Sequence, residues 1–488
     1  MSNEEKAAIT FLSLFAILVS YFYCGPSHGD DTFIYMEYVD NALSGNGFVF
    51  NEGEKSYGVT SPLWTFFMYP FAWLLGNTVG VWKIVSSLSF GIGVTLIGYV
   101  FIRRAQWFVA AILTVVVALA PHVLRWSGTG MENGFVVLGW GVALLTWENL
   151  STKDSEERPW AAISAGVSWA LLPFMRPELG LFVVFLGLIT VWQFVHKARV
   201  ADAVRLCVAG LVTGSGTLLL AWESFGSFLP QTAAAKGTAL HQSDPLYGLT
   251  QILKIFLSGA GPLFLLLLFF GVFRTEKIKN AWTVAALFSI LVAIVYLAIV
   301  NQLVSTRYAS YLSFPLILSL TYMLSKNLIF NSLLAKSFLV LQLATSIALL
   351  LYIFPTTRVS EAESFAPVVE RFEKVNSVES PRVALTEVGA FGFYSDAYII
   401  DLVGLTDRKT LRWLQENTAN LTDQNLEDLL MTREATHYIE YDEKCRPPKF
   451  NTLRSKLLME ADVERNNFSG GSIHRPHLCI YSLNGSKG

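Results

Sequence analysis

Two adjacent carboxylates, Asp30 and Asp31, stand in the first long polar stretch of the chain, GPSHGDDTFIYMEYVDNALSGNGFVFNEGEKSYGVTSP over 25–62. They open a predicted helix that stops at the Gly45-Asn46-Gly47 turn. Carboxylates suit helix N-termini, so the pair can serve simply as a cap. One acid is enough for a cap, however, and two beside an aromatic, membrane-facing surface are costly unless one is used. A carboxylate held there can act as general base on a hydroxyl, provided burial and neighbours tune it.

Four further segments carry chemistry-bearing residues. HVLRWSGTGMEN holds His122, Arg125 and Glu132, and FMRPELG places Arg176 and Glu178 around Pro177. ESFGSFLPQTAAAK presents Gln231 and Thr232 ahead of Lys236, and STRYASYLSFP presents Arg307 and Tyr308. Each Lys or Arg alone is simply explained as a snorkelling interface anchor. Several such singletons on one side of a membrane argue instead for an anionic ligand, and phosphate is the group they bind best.

The elements that must position these residues are membrane helices. Of 488 residues, 53% are hydrophobic and only 15% charged, with a mean hydropathy of +0.45; a globular domain carries about 25% charged residues. A net charge of −2 shows no nucleic-acid footprint. Apolar runs of membrane-crossing length, about 20 residues, are expected near 7–24, 80–102, 105–121, 134–150, 159–175, 179–195, 206–222, 249–273, 281–300, 308–324 and 337–354. The opening MSNEEK lacks a small-residue cleavage site, so the first run is expected to be a retained span.

The run 61–76 is different. It is short, interrupted by Pro70 and rich in aromatic residues that favour the interface. Counting it as a span reverses the sidedness of everything after it. With 61–76 interfacial and the N-terminus cytoplasmic, the inner loops hold basic groups such as Arg103 and Arg104, Lys197, Arg199 and Arg205, or Arg274, Lys277 and Lys279. The outer loops then hold one each: Lys55, Arg125, Arg176, Lys236 and Arg307. The positive-inside rule favours that arrangement. The expectation is therefore a polytopic α-helical membrane protein with about 11 spans over 1–354, a first outer loop at 25–79, and a soluble outer domain over 355–488.

The first outer loop resembles that of the GT-C fold, polyprenyl-phosphate-sugar-dependent glycosyltransferases, closest to the cell-wall arabinofuranosyltransferase-like group. Asp30, Asp31, Gly45, Gly47, Gly58, Thr60, Ser61, Pro62, Leu63 and Trp64 match its pattern. GMEN, MRPELG, FGSFLPQTAAAK, RYASYLSFP and EVGAFGFYSDAYIIDLVGL resemble later family segments in matching order. The resemblance implies an inverting transfer of a sugar, a pentofuranose such as arabinofuranose, from a polyprenyl-phosphate donor to an extracytoplasmic glycan, lipid or protein. Asp30 or Asp31 would take the acceptor proton, with Asp30 slightly favoured. Arg125, Glu132, Arg176, Glu178, Gln231, Thr232, Lys236, Arg307 and Tyr308 would contact substrate. No cofactor is required: a divalent cation beside Asp30 and Asp31 is compatible with the acids, but several cationic partners can hold a monophosphate without one. The location implied is the bacterial inner membrane, with the N-terminus inside and the C-terminal domain outside.

In the C-terminal segment, VALTE, AYIIDL, THYIEY and LCIYSL have strand character, accompanied by helices over 361–377 and 422–432, which predicts an α/β domain. Glu387, Asp396, Asp401 and Asp407 are open to two readings, a sugar site or strand-end turns. Cys445 and Cys479 are expected to pair in an oxidising compartment. A lipid-linked-sugar flippase is the competing class, but it calls for charged or broken positions at mid-membrane, and the charges here sit at the rims of the runs.

Overall fold

The computed structural model describes residues 2–26, 29–152, 158–236, 333–358, 361–417, 422–442, 444–462, 465–467, 472–474 and 477–485, with scattered positions between 282 and 322. The chain divides into two compact units. One comprises Met1–Gly25, Trp82–Leu219 and Ser243–Phe354, the other Pro26–Val81, Leu220–Gln242 and Pro355–Gly488. Residues 26–81 and 220–242 thus group with the C-terminal residues from 355 onward.

The helices up to the C-terminal segment are α1 (Asn3–Cys24), α2 (Asp30–Leu43), α3 (Pro62–Leu75), α4 (Val79–Ile102), α5 (Trp107–Ala118), α6 (Pro121–Ser127), α7 (Asn133–Thr152), α8 (Arg158–Met175), α9 (Leu179–His196), α10 (Val200–Phe225), α11 (Gln231–Lys236) and α12 (Leu333–Ile353). Among the described residues, α1, α4, α9 and α10 are long and apolar enough to cross a membrane, and α5 with α6 makes a fifth if that bent pair is one span. The structure therefore has a polytopic helical membrane region, without showing all eleven expected spans. The run expected as a span at 105–121 holds the helix α5, and a second short helix, α6, begins at Pro121 at the end of that run, bent from α5 by 67°. Pro121 takes the first position of the second helix, where its missing N–H costs nothing, so the chain turns there.

In the first unit, α4 and α7 approach through glycine. A Cβ at Gly93 would meet the Val137 carbonyl at 2.6 Å, and one at Gly141 would meet the Gly93 carbonyl at 2.6 Å. Small residues permit such backbone contact between apolar helices, where dispersion rather than water expulsion drives packing.

The C-terminal segment is α/β. It runs α13 (Glu361–Val375), β1 (Arg382–Leu385), α14 (Val388–Tyr394), β2 (Tyr398–Asp401), α15 (Arg408–Asn417), α16 (Asp423–Thr432), β3 (His437–Asp442), β4 (Leu453–Asp462), β5 (Arg465–Asn467), β6 (Ser472–His474) and β7 (His477–Gly485). Five strands form a sheet of order β2-β1-β3-β7-β4, with β1 parallel to β2 and β3, and β7 antiparallel to β3 and β4. Phe365, Val368, Val369 and Phe372 fall on one stripe of α13 and are buried, as an amphipathic helix requires. Ala384, Ile400, Leu414, Leu429, Leu430 and Tyr481 form the core. Cys445 and Cys479 are joined, their Cα atoms 5.3 Å apart.

Candidate active site

The helix α2 begins at the acid pair, as its sequence suggests. Gly45 and Gly47 beyond its end have φ of 89° and 81°, a backbone region that only glycine enters cheaply. The aromatic residues of α2 hold the returning loop. Tyr38 Oη bonds Ser56 Oγ at 2.8 Å and receives the Gly58 N–H at 3.0 Å, and Tyr35 Oη lies 3.0 Å from Thr60 Oγ1. The GVTSP segment is thereby fixed against α2. Ser61 then caps α3, accepting the Trp64 N–H at 3.4 Å.

The same loop is built into the C-terminal segment. Asn51 receives the Ile399 N–H at 2.9 Å and donates to the Ile399 carbonyl at 2.8 Å, pairing with β2 as a strand would. Tyr398 Oη and Lys409 both donate to Glu54. Burial alone would raise the Glu54 carboxyl, but these two donors outweigh it and hold the group low. Gly58 lies so close to the Leu405–Thr406 backbone that a Cβ would sit 2.8 Å from the Leu405 carbonyl oxygen.

Asp30 reaches across this junction. Its Oδ2 accepts the Gly389 N–H and its Oδ1 the Ala390 N–H, each at 2.8 Å. Both amides belong to the first turn of α14, where unpaired N–H groups favour a carboxylate. Asp31 is half-buried, as is Asp30. About two turns beyond, burial and then the neighbouring Asp40 push the Glu37 carboxyl up to about 8, although Asn41 donates to it at 2.9 Å.

Glu132, Arg176 and Glu178 are brought together in the first unit. Arg176 is fully buried and pairs with Glu132 at 2.8 Å and Glu178 at 3.3 Å, so its charge is already met by two carboxylates. Arg125 is buried in α6 with its guanidinium 4.8 Å from the Trp126 ring. Gln231 and Thr232 are buried at the start of α11. Gln231 pairs with Tyr57 through its backbone N–H at 2.9 Å and its Oε1 at 3.2 Å, and its Nε2 donates to Gly404 and Leu405 carbonyls. It acts as a strut between loops rather than as an open ligand. Lys236 ends α11; Arg307 and Tyr308 lie outside the described residues.

Of the four C-terminal acids with two readings, two are settled as turn residues. Asp401 accepts the Val403, Gly404 and Thr406 N–H groups at 2.9, 3.1 and 2.7 Å. Asp407 accepts the Lys409 and Thr410 N–H groups at 3.0 Å and pairs with Arg433 at 2.7 Å. Gly389 and Ala390 carried no chemical signal of their own in the sequence. The cue was positional, a glycine-containing EVGAFG run directly after a strand. Among the described residues, no group of three or more His, Cys, Asp or Glu side chains is arranged to hold a metal.

Comparison with solved structures gives ArnT from Cupriavidus metallidurans bound to undecaprenyl phosphate at a TM-score of 0.62, covering 97% of each chain at 11% identity. It also gives the archaeal oligosaccharyltransferase AglB from Archaeoglobus fulgidus, in complex with an inhibitory peptide and a dolichol-phosphate, at 0.57, covering 90% of this chain and 70% of that one at 11% identity. The chain has the GT-C fold. Within GT-C proteins, curated relatives are the terminal β-(1→2)-arabinofuranosyltransferases of Mycobacterium tuberculosis and Corynebacterium glutamicum. The first is 26% identical over 233 residues, 43% of this chain and 35% of the relative; the second is 24% identical over 270 residues, 49% and 37%. The chain thus spans about a third of the length of the curated relatives it matches. Residues 360–481 match a domain of unknown function, DUF8728. The GT-C resemblance seen in the first loop accordingly extends to the fold, while the C-terminal domain carries no function by name.

Proposed function

We propose that this GT-C protein is an inverting membrane glycosyltransferase that moves a sugar from a polyprenyl-phosphate donor to an extracytoplasmic hydroxyl acceptor. The observation that carries the reading is the acid pair at the head of α2, where Asp30 is held by the Gly389 and Ala390 amides. In the reaction, a carboxylate of the pair takes the acceptor O–H proton. The acceptor oxygen attacks the anomeric carbon opposite the phosphate, the bond from that carbon to the phosphate oxygen breaks, and its electrons leave with the phosphate. That leaving group is stable as an anion, so no general acid is needed. Lys236 and Arg307 hold the phosphate and meet its developing charge. A resident metal is not required by this scheme, and activity should survive a chelator.

The pentofuranose reading is supported by the names of the curated relatives. The acceptor is a glycan, lipid or protein on the outer side of a bacterial inner membrane. The proposed topology is eleven spans with the N-terminus inside. A disulfide in the C-terminal segment supports an oxidising location for that end.

The test is purified protein with radiolabelled polyprenyl-phosphate arabinose and candidate acceptors. Wild-type protein should transfer label. Removal of the base should cost about 10²- to 10⁴-fold in kcat, whereas Arg307→Ala and Lys236→Ala should weaken donor binding first. Label that crosses vesicle membranes without being transferred would overturn the enzyme reading in favour of a flippase.

A further inference from the structure

We infer, on the basis of the reaction proposed above, that the two acids divide the work: Asp30 is a positioning residue that clasps the C-terminal domain, and Asp31 is the catalytic base. The division follows from what each oxygen of Asp30 does. A side chain 359 residues from its partner caps α14 by giving one oxygen to each of two consecutive amides. Glu387, the residue before α14, makes no side-chain cap bond to the helix, so the cap is supplied from α2.

Gly389 gives an independent reason to see this clasp as built. A Cβ at that position would collide with the Asp30 carbonyl, and it would lie 2.9 Å from the carboxyl carbon of Asp30. Only glycine lets α14 come this close. The contact is stiffened on one side by aromatic packing, with the Phe33 ring 5.8 Å from Phe393 and 5.6 Å from Tyr394.

A general base must exchange a proton with its substrate at every turnover. A proton on Asp30 would remove the charge that strengthens both amide bonds, and charge-assisted bonds of this kind are the stronger ones, so the clasp opposes protonation of Asp30. Asp31 is the next residue on the same helix, turned by about 100° around the axis. Neighbouring positions on a helix do not share a face. Asp31 is therefore carried on a different side of α2 from the α14 contact, on a helix whose rotation the Asp30 clasp fixes. The C-terminal domain, on this view, sets the angle of the base.

Hydrogen–deuterium exchange on the full-length protein tests the clasp without relying on activity. Asp30→Ala should raise exchange at the Gly389 and Ala390 amides at least tenfold, and Asp31→Ala should leave it unchanged. Unchanged protection in Asp30→Ala would overturn the clasp. Kinetics test the division. Asp31→Asn should lose kcat with donor KM kept and should abolish the acid limb of the kcat/KM profile. Asp30→Asn and Gly389→Ala should each lower kcat while the acid limb persists, and the double variant should be no worse than either. Loss of the limb in Asp30→Asn, with its retention in Asp31→Asn, would reverse the assignment. Should wild-type protein transfer no sugar, the function would fail while the exchange result still decides the clasp.

Discussion

His437, at the start of β3, shows how a buried titratable group ties the C-terminal domain to pH. Its ring meets Phe372 edge-on at 5.1 Å, and its Nδ1 lies 2.9 Å from Thr436 Oγ1. Burial holds the imidazole down to about 4. The unfolded chain takes up the proton near pH 6.5 and the folded one only near 4, so stability is full above the first value and falls as pH drops through that window. Glu37 and Asp401 act in the opposite sense. Burial raises both, to about 8 and about 6, so each favours the folded state as pH falls. Comparing variants separates these effects. His437→Phe should flatten the loss of unfolding midpoint between pH 6.5 and 4 relative to wild type, and parallel midpoint curves for the two proteins would refute the assignment.

The helix α3 decides topology. It has 14 residues, a length of about 21 Å against a hydrocarbon core of about 30 Å. Trp73, Leu74 and Leu75 at its end are 68, 67 and 65% exposed, suited to an apolar interface rather than to water. A reporter fused after Asn77 should read as external and one after Arg104 as cytoplasmic; a cytoplasmic reading after Asn77 would overturn the proposed orientation. The strand β4 shows where local pattern reading failed. RSKLLMEAD mixes charged and apolar residues, and a register shift between Leu457 and Met459 breaks the alternation that would mark a strand. The α5–α6 break falls at Pro121, at the end of the apolar run, and α6 occupies residues 121–127, where the sequence pattern predicts the start of a loop.

At the scale of the molecule, the second unit gathers three separated pieces of chain, and its C-terminal piece carries the five-stranded sheet. Its covalent tie is the bridge from Cys445 to Cys479 in β7, 34 residues apart. Closing a loop of this size is worth roughly 3–4 kcal/mol in the chain-entropy model. Cys445→Ser with Cys479→Ala should lower the unfolding free energy by about that amount, measured in denaturant against the oxidised protein. Finding both thiols free by peptide mapping of protein from the outer membrane face would remove the basis of that prediction.

What the sequence determined by itself is what local physics dictates. Apolar runs demanded membrane helices, adjacent acids opened α2, Gly45 and Gly47 marked positions of positive φ, and β-branched and aromatic stretches became strands β1, β2, β3 and β7. The two cysteines could be paired because few alternatives existed in that domain. Tertiary structure alone decided which charges meet. Arg176 could not be known to be neutralised by Glu132, nor Gln231 to be engaged with Tyr57, because a side chain's partner depends on which distant backbone arrives beside it. The Asp30 clasp is the clearest case: residue type announces a carboxylate able to cap or to catalyse, and only the approach of Gly389 and Ala390 shows where its oxygens are bound.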